Sequence, residues 1–303
     1  MTASPTLLLS IYCIAIALFS LLGGLLPSWV RMTHIRTQLI MSFVSGLMLG
    51  VAFFHLLPHS IALQESDQAV DISVWWLMTG LIVMLLLLRM FHFHQHDFSH
   101  DEHAHGQGHA HKHDHDHGHD GPKTRVNGLS WVGIALGLAL HTLIDGVALG
   151  AVLQGEATTG TGIAGLLGVG VFLAILLHKP LDAISIITVM EAGGWSRSAR
   201  TLANVAFALM CPLGAMLFYF GVDLLGPARH YGVAVALAFS AGAFICIALS
   251  DLLPEVHFHS HDRGKLTFAF LAGIVLAYSI GSLEPASAHV AHGQEEHTVW
   301  LSE

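Results

Sequence analysis

The chain has 303 residues, of which 53% are apolar and only 11% charged, with a formal net charge of −9 and 24 histidines. Soluble domains average about 25% charged residues, so this composition excludes a water-soluble globular protein and points to a polytopic membrane protein. A negative balance with few basic residues also excludes nucleic acid as a partner, because phosphates demand a basic face.

Apolar stretches long enough to cross a bilayer, about 20 residues each, fall at 6–30, 37–63, 73–91, 129–153, 161–190, 200–222, 231–256 and 266–284. The expected fold class is therefore all-α, with eight transmembrane helices. The first span opens on MTASPTLLLS, which has no positive leader, so it is expected to be retained rather than cleaved. Span two carries His55 and His59 in the string HLLPH. After span three, residues 92–126 hold twelve histidines between His92 and His119. Almost nothing apolar follows Phe98 there, so the tract cannot build a core and is expected to be disordered. Neutral imidazole suits Zn2+, Ni2+ and Cu2+. His103, His105, His109, His111, His113, His115, His117 and His119 are the candidates for buffering such ions on the cytosolic side.

Spans four and five carry the costliest residues. His141 and Asp145 are four apart, as are His178 and Asp182, and that spacing sets each pair on one helix face near the middle of its span. A carboxylate at that depth costs about 2.5 to 3.5 kcal/mol. Two imidazoles and two carboxylates supply four N/O ligands, a set suited to a divalent ion whose charge the carboxylates neutralise. The plainer reading, in which each His bonds its own Asp, leaves unexplained why the pair occurs twice at one depth. Pro180 is expected to remove a backbone hydrogen bond and loosen its helix. Lys179 is the only Lys or Arg near the middle of a span, Arg89 and Arg200 lying at span edges. Successive helical residues point about 100° apart, so its ammonium is expected to balance charge beside the ion rather than address the point that His178 addresses.

Span seven reads GAFICIALSDLLPE from Gly242 to Glu255 and repeats span two at an offset of 196. Gly46 meets Gly242, His55 meets Asp251, Pro58 meets Pro254 and His59 meets Glu255. The loops after spans one, three, five and seven hold ten of the twelve Lys and Arg residues. That bias orients these loops to the cytosol and both termini outside, so spans two and seven run in opposite directions. Inverted repeats of this kind mark secondary transporters. His55 and His59 at one mouth, and Asp251, Glu255 and His257 at the other, are the candidate transport pathway. Glu156 and Asp223 fall among nine acids expected to face outward, where they either concentrate cations at an entrance or form a solvated rim. The three cysteines, Cys13, Cys211 and Cys246, sit in apolar stretches without C-x-x-C spacing and are read as packing residues.

These motifs together, with HTLIDG in span four, HKPLD in span five, the H/D-LLP strings and the His-rich loop, resemble the ZIP (Zrt/Irt-like) family of divalent-metal transporters over nearly the whole chain. The resemblance implies a 3+2+3 inverted-repeat bundle, uptake of Zn2+ and related ions toward the cytosol, and an elevator-like alternation. It also implies a principal site at His141, Asp145, His178 and Asp182. Some relatives hold a second metal beside the first, using an Asn, an acid after the span-five histidine and an acid in span six. Here the corresponding residues are Thr142 and Lys179, and 200–222 contains no carboxylate. A single-metal centre is expected.

The organisation that follows is helices one to three over 1–91, the His-rich loop at 92–126, the site-bearing helices four and five over 127–190, helices six to eight over 191–284, and an extracytoplasmic tail at 285–303. The expected location is a plasma membrane or a bacterial inner membrane. Zn2+, with Cd2+, Fe2+ and Mn2+ as alternatives, is read as substrate, with no catalytic cofactor. The partners are metal ions and the lipid bilayer, with room for a homodimer. Two other classes compete with this reading. A cation diffusion facilitator type of efflux antiporter usually has six spans and a soluble C-terminal domain. A membrane metalloenzyme would be expected to show H-E-x-x-H or G-x-S-x-G, which do not occur.

Overall fold

The computed structural model describes residues 4–29, 34–64, 66–92, 128–159, 168–252 and 263–282. The His-rich tract, Glu255, His257 and the tail lie outside the described residues. All regular structure among the described residues is helical, as an apolar chain in lipid requires, since a helix satisfies its own backbone groups. The helices are α1 Pro5–Trp29, α2 His34–Val51, α3 Leu57–Ala62, α4 Ala69–His92, α5 Gly128–Thr159, α6 Val169–Ala192, α7 Arg197–Gly221, α8 Arg229–Ile247 and α9 Arg263–Ser282. Seven described stretches are long and apolar enough to cross a membrane. One of these, Arg197–Ser250, has 54 residues, about 80 Å if straight. It is folded back by the 3-10 segment Val222–Ala228, where Gly226 takes φ 53° ahead of Pro227, and so becomes α7 and α8.

Two π-helical turns interrupt the α-helical runs, Ala52–Leu56 between α2 and α3 and Ala248–Leu252 after α8. They stand at the same offset of 196 that relates span two to span seven. His55 and Asp251 occupy the fourth place of each. The cause is legible in the sequence: Pro58 and Pro254 follow two residues after each turn. A proline ring clashes with the carbonyl four residues back, and widening the preceding turn relieves the clash. Such bulges also re-aim the side chains beyond them, which is why they recur at functional positions.

The helices pack in two groups. α2 lies along α9 and α4 along α8, while α1, α5, α6 and α7 pack mainly on one another. Within each group glycines bring backbones into direct contact. A Cβ on Gly46 would stand 2.0 Å from Phe270 O and one on Gly273 2.1 Å from Phe43 O. On Gly80 and Gly242 it would stand 1.9 Å from Phe239 O and Leu77 O. Phe43 and Phe239 are again 196 apart, so the α2–α9 and α4–α8 contacts are copies of one another. In the other group, Gly146 meets Cys211 O and Gly214 meets Leu143 O, at 2.2 and 2.3 Å from the same imagined atom. Small residues that let backbones approach are the usual means of holding helices together in lipid, where no hydrophobic drive separates helix from solvent. Large apolar side chains such as Trp75, Leu202 and Phe268 point outward.

Candidate metal centre

Helices α5 and α6 place their polar faces against each other. His141, Asp145, His178 and Asp182 each bring one ligand atom to within 4.8 Å of all the others. His141 Nε2 lies 3.5 Å from Asp145 Oδ2 and 3.4 Å from Asp182 Oδ2, and His178 Nε2 lies 3.2 and 3.8 Å from the same two oxygens. Zinc bonds of about 2.0 to 2.2 Å arranged tetrahedrally have edges of about 3.3 to 3.6 Å, so these separations suit a four-coordinate divalent ion. All four residues are buried, and Asp182, with 11% of its side chain exposed, is the edge at which the cluster meets the surface.

One hydrogen bond orients the His178 ring. His178 Nδ1–H donates to Ala174 O at 2.7 Å, one turn back in α6. That bond fixes the tautomer and leaves the Nε2 lone pair facing Asp145, an arrangement of two acceptors that calls for a cation. His141 Nδ1 and Asp145 Oδ1 are buried without a hydrogen-bond partner among the described residues. Polar atoms left so in a packed interior are uncommon and mark functional positions. Phe244 of α8 stands edge-on to the His178 ring, 6.5 Å between centroids, and closes the cluster on the side of the other helix group.

Lys179 departs from the sequence expectation. Its Nζ donates to Asp145 Oδ2, to Asp182 Oδ2 at 3.2 Å and to Thr142 Oγ1 at 3.2 Å. Lys179 and His178 therefore converge on the same Asp145 oxygen, despite being adjacent in sequence. The angular argument holds for the first side-chain atoms only. A four-carbon stem can fold back along its helix, and the carboxylate comes from a second helix lying between the two directions. Two bare carboxylates whose facing oxygens lie within 4.8 Å of each other repel by at least roughly 3 kcal/mol at an effective dielectric near 20, which the ammonium offsets. Phe207 of α7 lies under the ammonium, 5.5 Å from Nζ to the ring centroid.

Of the other candidates, His55 and His59 do not join this cluster. His55 is buried in the first π turn, its Nε2–H donating to Ala277 O of α9 at 2.9 Å and its ring against Gly170 of α6. His59 Nδ1–H donates to His55 O at 2.7 Å. Asp251 holds the matching place in the second π turn.

Glu156 corrects the expected solvated rim. It is buried, and its Oε2 accepts from Gly168 N at 2.8 Å. α5 runs on to Thr159, so Glu156 lies inside the packed end, beside the backbone N–H of Gly168, the residue that precedes α6. α6 continues through Pro180 from Val169 to Ala192, and Gly23 of α1 packs directly on it. Gln154 was not singled out in the sequence. It donates to Tyr219 O at 2.6 Å and accepts from Arg229, which also pairs with Asp223 at 3.1 Å. A buried amide in an apolar span was the available signal.

The family model of the ZIP Zinc transporter matches residues 6–124 and 90–281. Zinc transporter ZIP9-B of Xenopus laevis is 28% identical over 182 residues, covering 57% of this chain and 57% of that protein. Zinc transporter ZIP9 of Micropogonias undulatus is 28% identical over 166 residues, 52% of this chain and 51% of its own. The chain thus spans about half the length of the curated relatives it matches.

Proposed function

The chain belongs to the ZIP zinc transporter family, and from that membership we propose that it carries divalent metal ions, Zn2+ foremost, across the membrane into the cytosol. The observation that carries this reading is the convergence of His141, Asp145, His178 and Asp182 from two helices on one buried point with edges of 3.2 to 3.8 Å. The same ligand set suits Cd2+, Fe2+ and Mn2+, which are the secondary cargoes. Counted with the fold-back at Val222–Ala228, the spans make eight crossings in a 3+2+3 order, with both termini outside.

The site holds one ion at a time. Lys179 and Thr142 stand where binuclear relatives place an acid and an amide, and α7 offers no carboxylate. His55 and His59 serve the outer approach, Asp251, Glu255 and His257 the inner one, and the His-rich loop buffers the ion after release. Alternating access is a displacement of the α1, α5, α6 and α7 group along the other helices. Its support is that, among the described residues, the glycines where the two groups meet face side chains and not backbone. Around Gly155 the nearest atoms are Leu63 Cδ1, Leu237 Cδ1 and Val233 Cγ1, and around Gly170 they belong to the His55 ring.

Zn2+ flux into proteoliposomes tests the reading. Asp182→Ala and His141→Ala are expected to abolish uptake while leaving the protein monodisperse and helical. Uptake at the wild-type rate in either variant refutes the site. Two metals found within about 5 Å by anomalous diffraction, a spacing typical of binuclear centres, refute the single-ion centre.

A further inference from the structure

We infer that Lys179 is a tethered counter-cation that lets the carrier return without cargo, so that the protein works as a uniporter and not as an obligate metal exchanger; this rests on the four-residue cluster being the cargo site.

Lys179 is among the largest fully buried side chains of the molecule. An ammonium has three N–H donors, and Lys179 directs them to Thr142, Asp145 and Asp182, so it is held at three points by the site itself. Packing symmetry does not require a base there. His141-Thr-Leu-Ile-Asp145 and His178-Lys-Pro-Leu-Asp182 are matched strings, and the mate of Lys179 is the neutral Thr142. The charge is an addition to one half of a repeated motif.

Its consequence follows from counting charge with both imidazoles neutral. Two carboxylates and one ammonium leave one negative unit, and a divalent cargo turns that into one positive unit. The site must pass an apolar wall, represented by Phe244, with cargo and again without it. The cost of desolvating a charge rises with its square, so one negative and one positive unit cost alike. Without the ammonium the loaded site would be neutral, but the cargo-free site would carry two negative units, at about four times the cost of one. Such a carrier would reorient readily only with metal aboard. Lys179 makes the two half-cycles electrically equivalent in magnitude.

The test compares two fluxes of labelled Zn2+ in proteoliposomes at one pH: net uptake into vesicles without internal metal, and exchange against internal unlabelled Zn2+. In the wild-type protein the two rates should agree within about threefold, because neither half-cycle dominates. Lys179→Gln should retain exchange and lose net uptake by about tenfold or more, since one further uncompensated charge in the membrane exceeds the tenfold threshold. Lys179→Arg should restore net uptake. The inference is overturned if Lys179→Gln lowers both fluxes alike or neither. Should that variant fail to fold, the wild-type protein decides: uptake that depends on internal Zn2+ overturns the inference, and uptake without it supports the uniporter. Wild-type protein with neither flux would overturn the transport reading beneath it, a result distinct from loss of net uptake alone.

Discussion

The group formed by α1, α5, α6 and α7 and the group formed by α2, α4, α8 and α9 are held together by the same device and differ in what they bury. Both are zipped by glycines that bring backbone against backbone, Gly146 with Gly214 in the first and Gly46 with Gly273 and Gly80 with Gly242 in the second. The first buries Asp145, Lys179, Asp182 and Glu156, whereas α8 presents an almost wholly apolar surface from Val233 to Ile247. Charge is concentrated in one body and the other offers it a smooth wall. Backbone contacts fix helices in register, because a displacement of even an ångström drives atoms into overlap. Side-chain contacts, such as Leu63 and Leu237 against Gly155, can be remade by changing rotamers. Under the proposed alternation, the difference separates contacts that stay fixed from contacts that are remade.

The largest expected effect comes from removing the charge that distinguishes the first body. Asp145→Ala should abolish Zn2+ flux and also destabilise the protein by about 3 to 5 kcal/mol, since it leaves the Lys179 ammonium buried with its closest partner gone. A thermal melt in detergent checks the second part, and a variant as stable as wild type would mean that the ion pair is not formed. Next in size is the zipper itself. Gly242→Ala puts a methyl about 1.9 Å from the Leu77 carbonyl, an overlap with backbone that should cost at least about 1 to 3 kcal/mol and lower the melting temperature.

Gly155→Ala sharpens the comparison from the other side. Its new methyl would meet the end of Leu63 at 3.3 Å, an atom able to give way. We expect a stability change within about 0.5 kcal/mol but a slower transport rate, because the obstruction lies on the slipping surface. If Gly155→Ala and Gly242→Ala behave alike in both assays, the division into two bodies is wrong. Glu156→Ala should cost about 1 to 3 kcal/mol, the usual penalty for leaving a buried donor, here Gly168 N–H, unsatisfied, with flux altered less than in any variant of the four ligands. Deleting residues 103–119 should have the smallest effect, leaving the initial rate of Zn2+ uptake unchanged while lowering the metal retained by the purified protein.

Much of this was legible in the linear sequence. The spans follow from composition, because a run of about 20 apolar residues has few other uses. The four clustered side chains follow from i,i+4 spacing, which aligns two side chains on a helix without help from the rest of the chain. The inverted repeat was legible as well, since Gly46 and His55 recur as Gly242 and Asp251 at one offset, and the copied glycine contacts and π turns fall at that same offset.

What only the tertiary structure decided are the relations between helices. The convergence of Lys179 and His178 on one oxygen depends on where α5 sets Asp145, which no spacing within α6 encodes. Glu156 reads as a rim acid by position, yet it is buried, because Gly168, just ahead of α6, packs beside it and donates its backbone N–H. The two-body division is equally invisible in sequence. Glycines that touch backbone and glycines that touch side chains look alike along the chain, and only the neighbouring helix distinguishes them. Periodicity determines which face of a helix is polar, because that depends on its own geometry; what the face meets depends on packing between segments far apart in the chain.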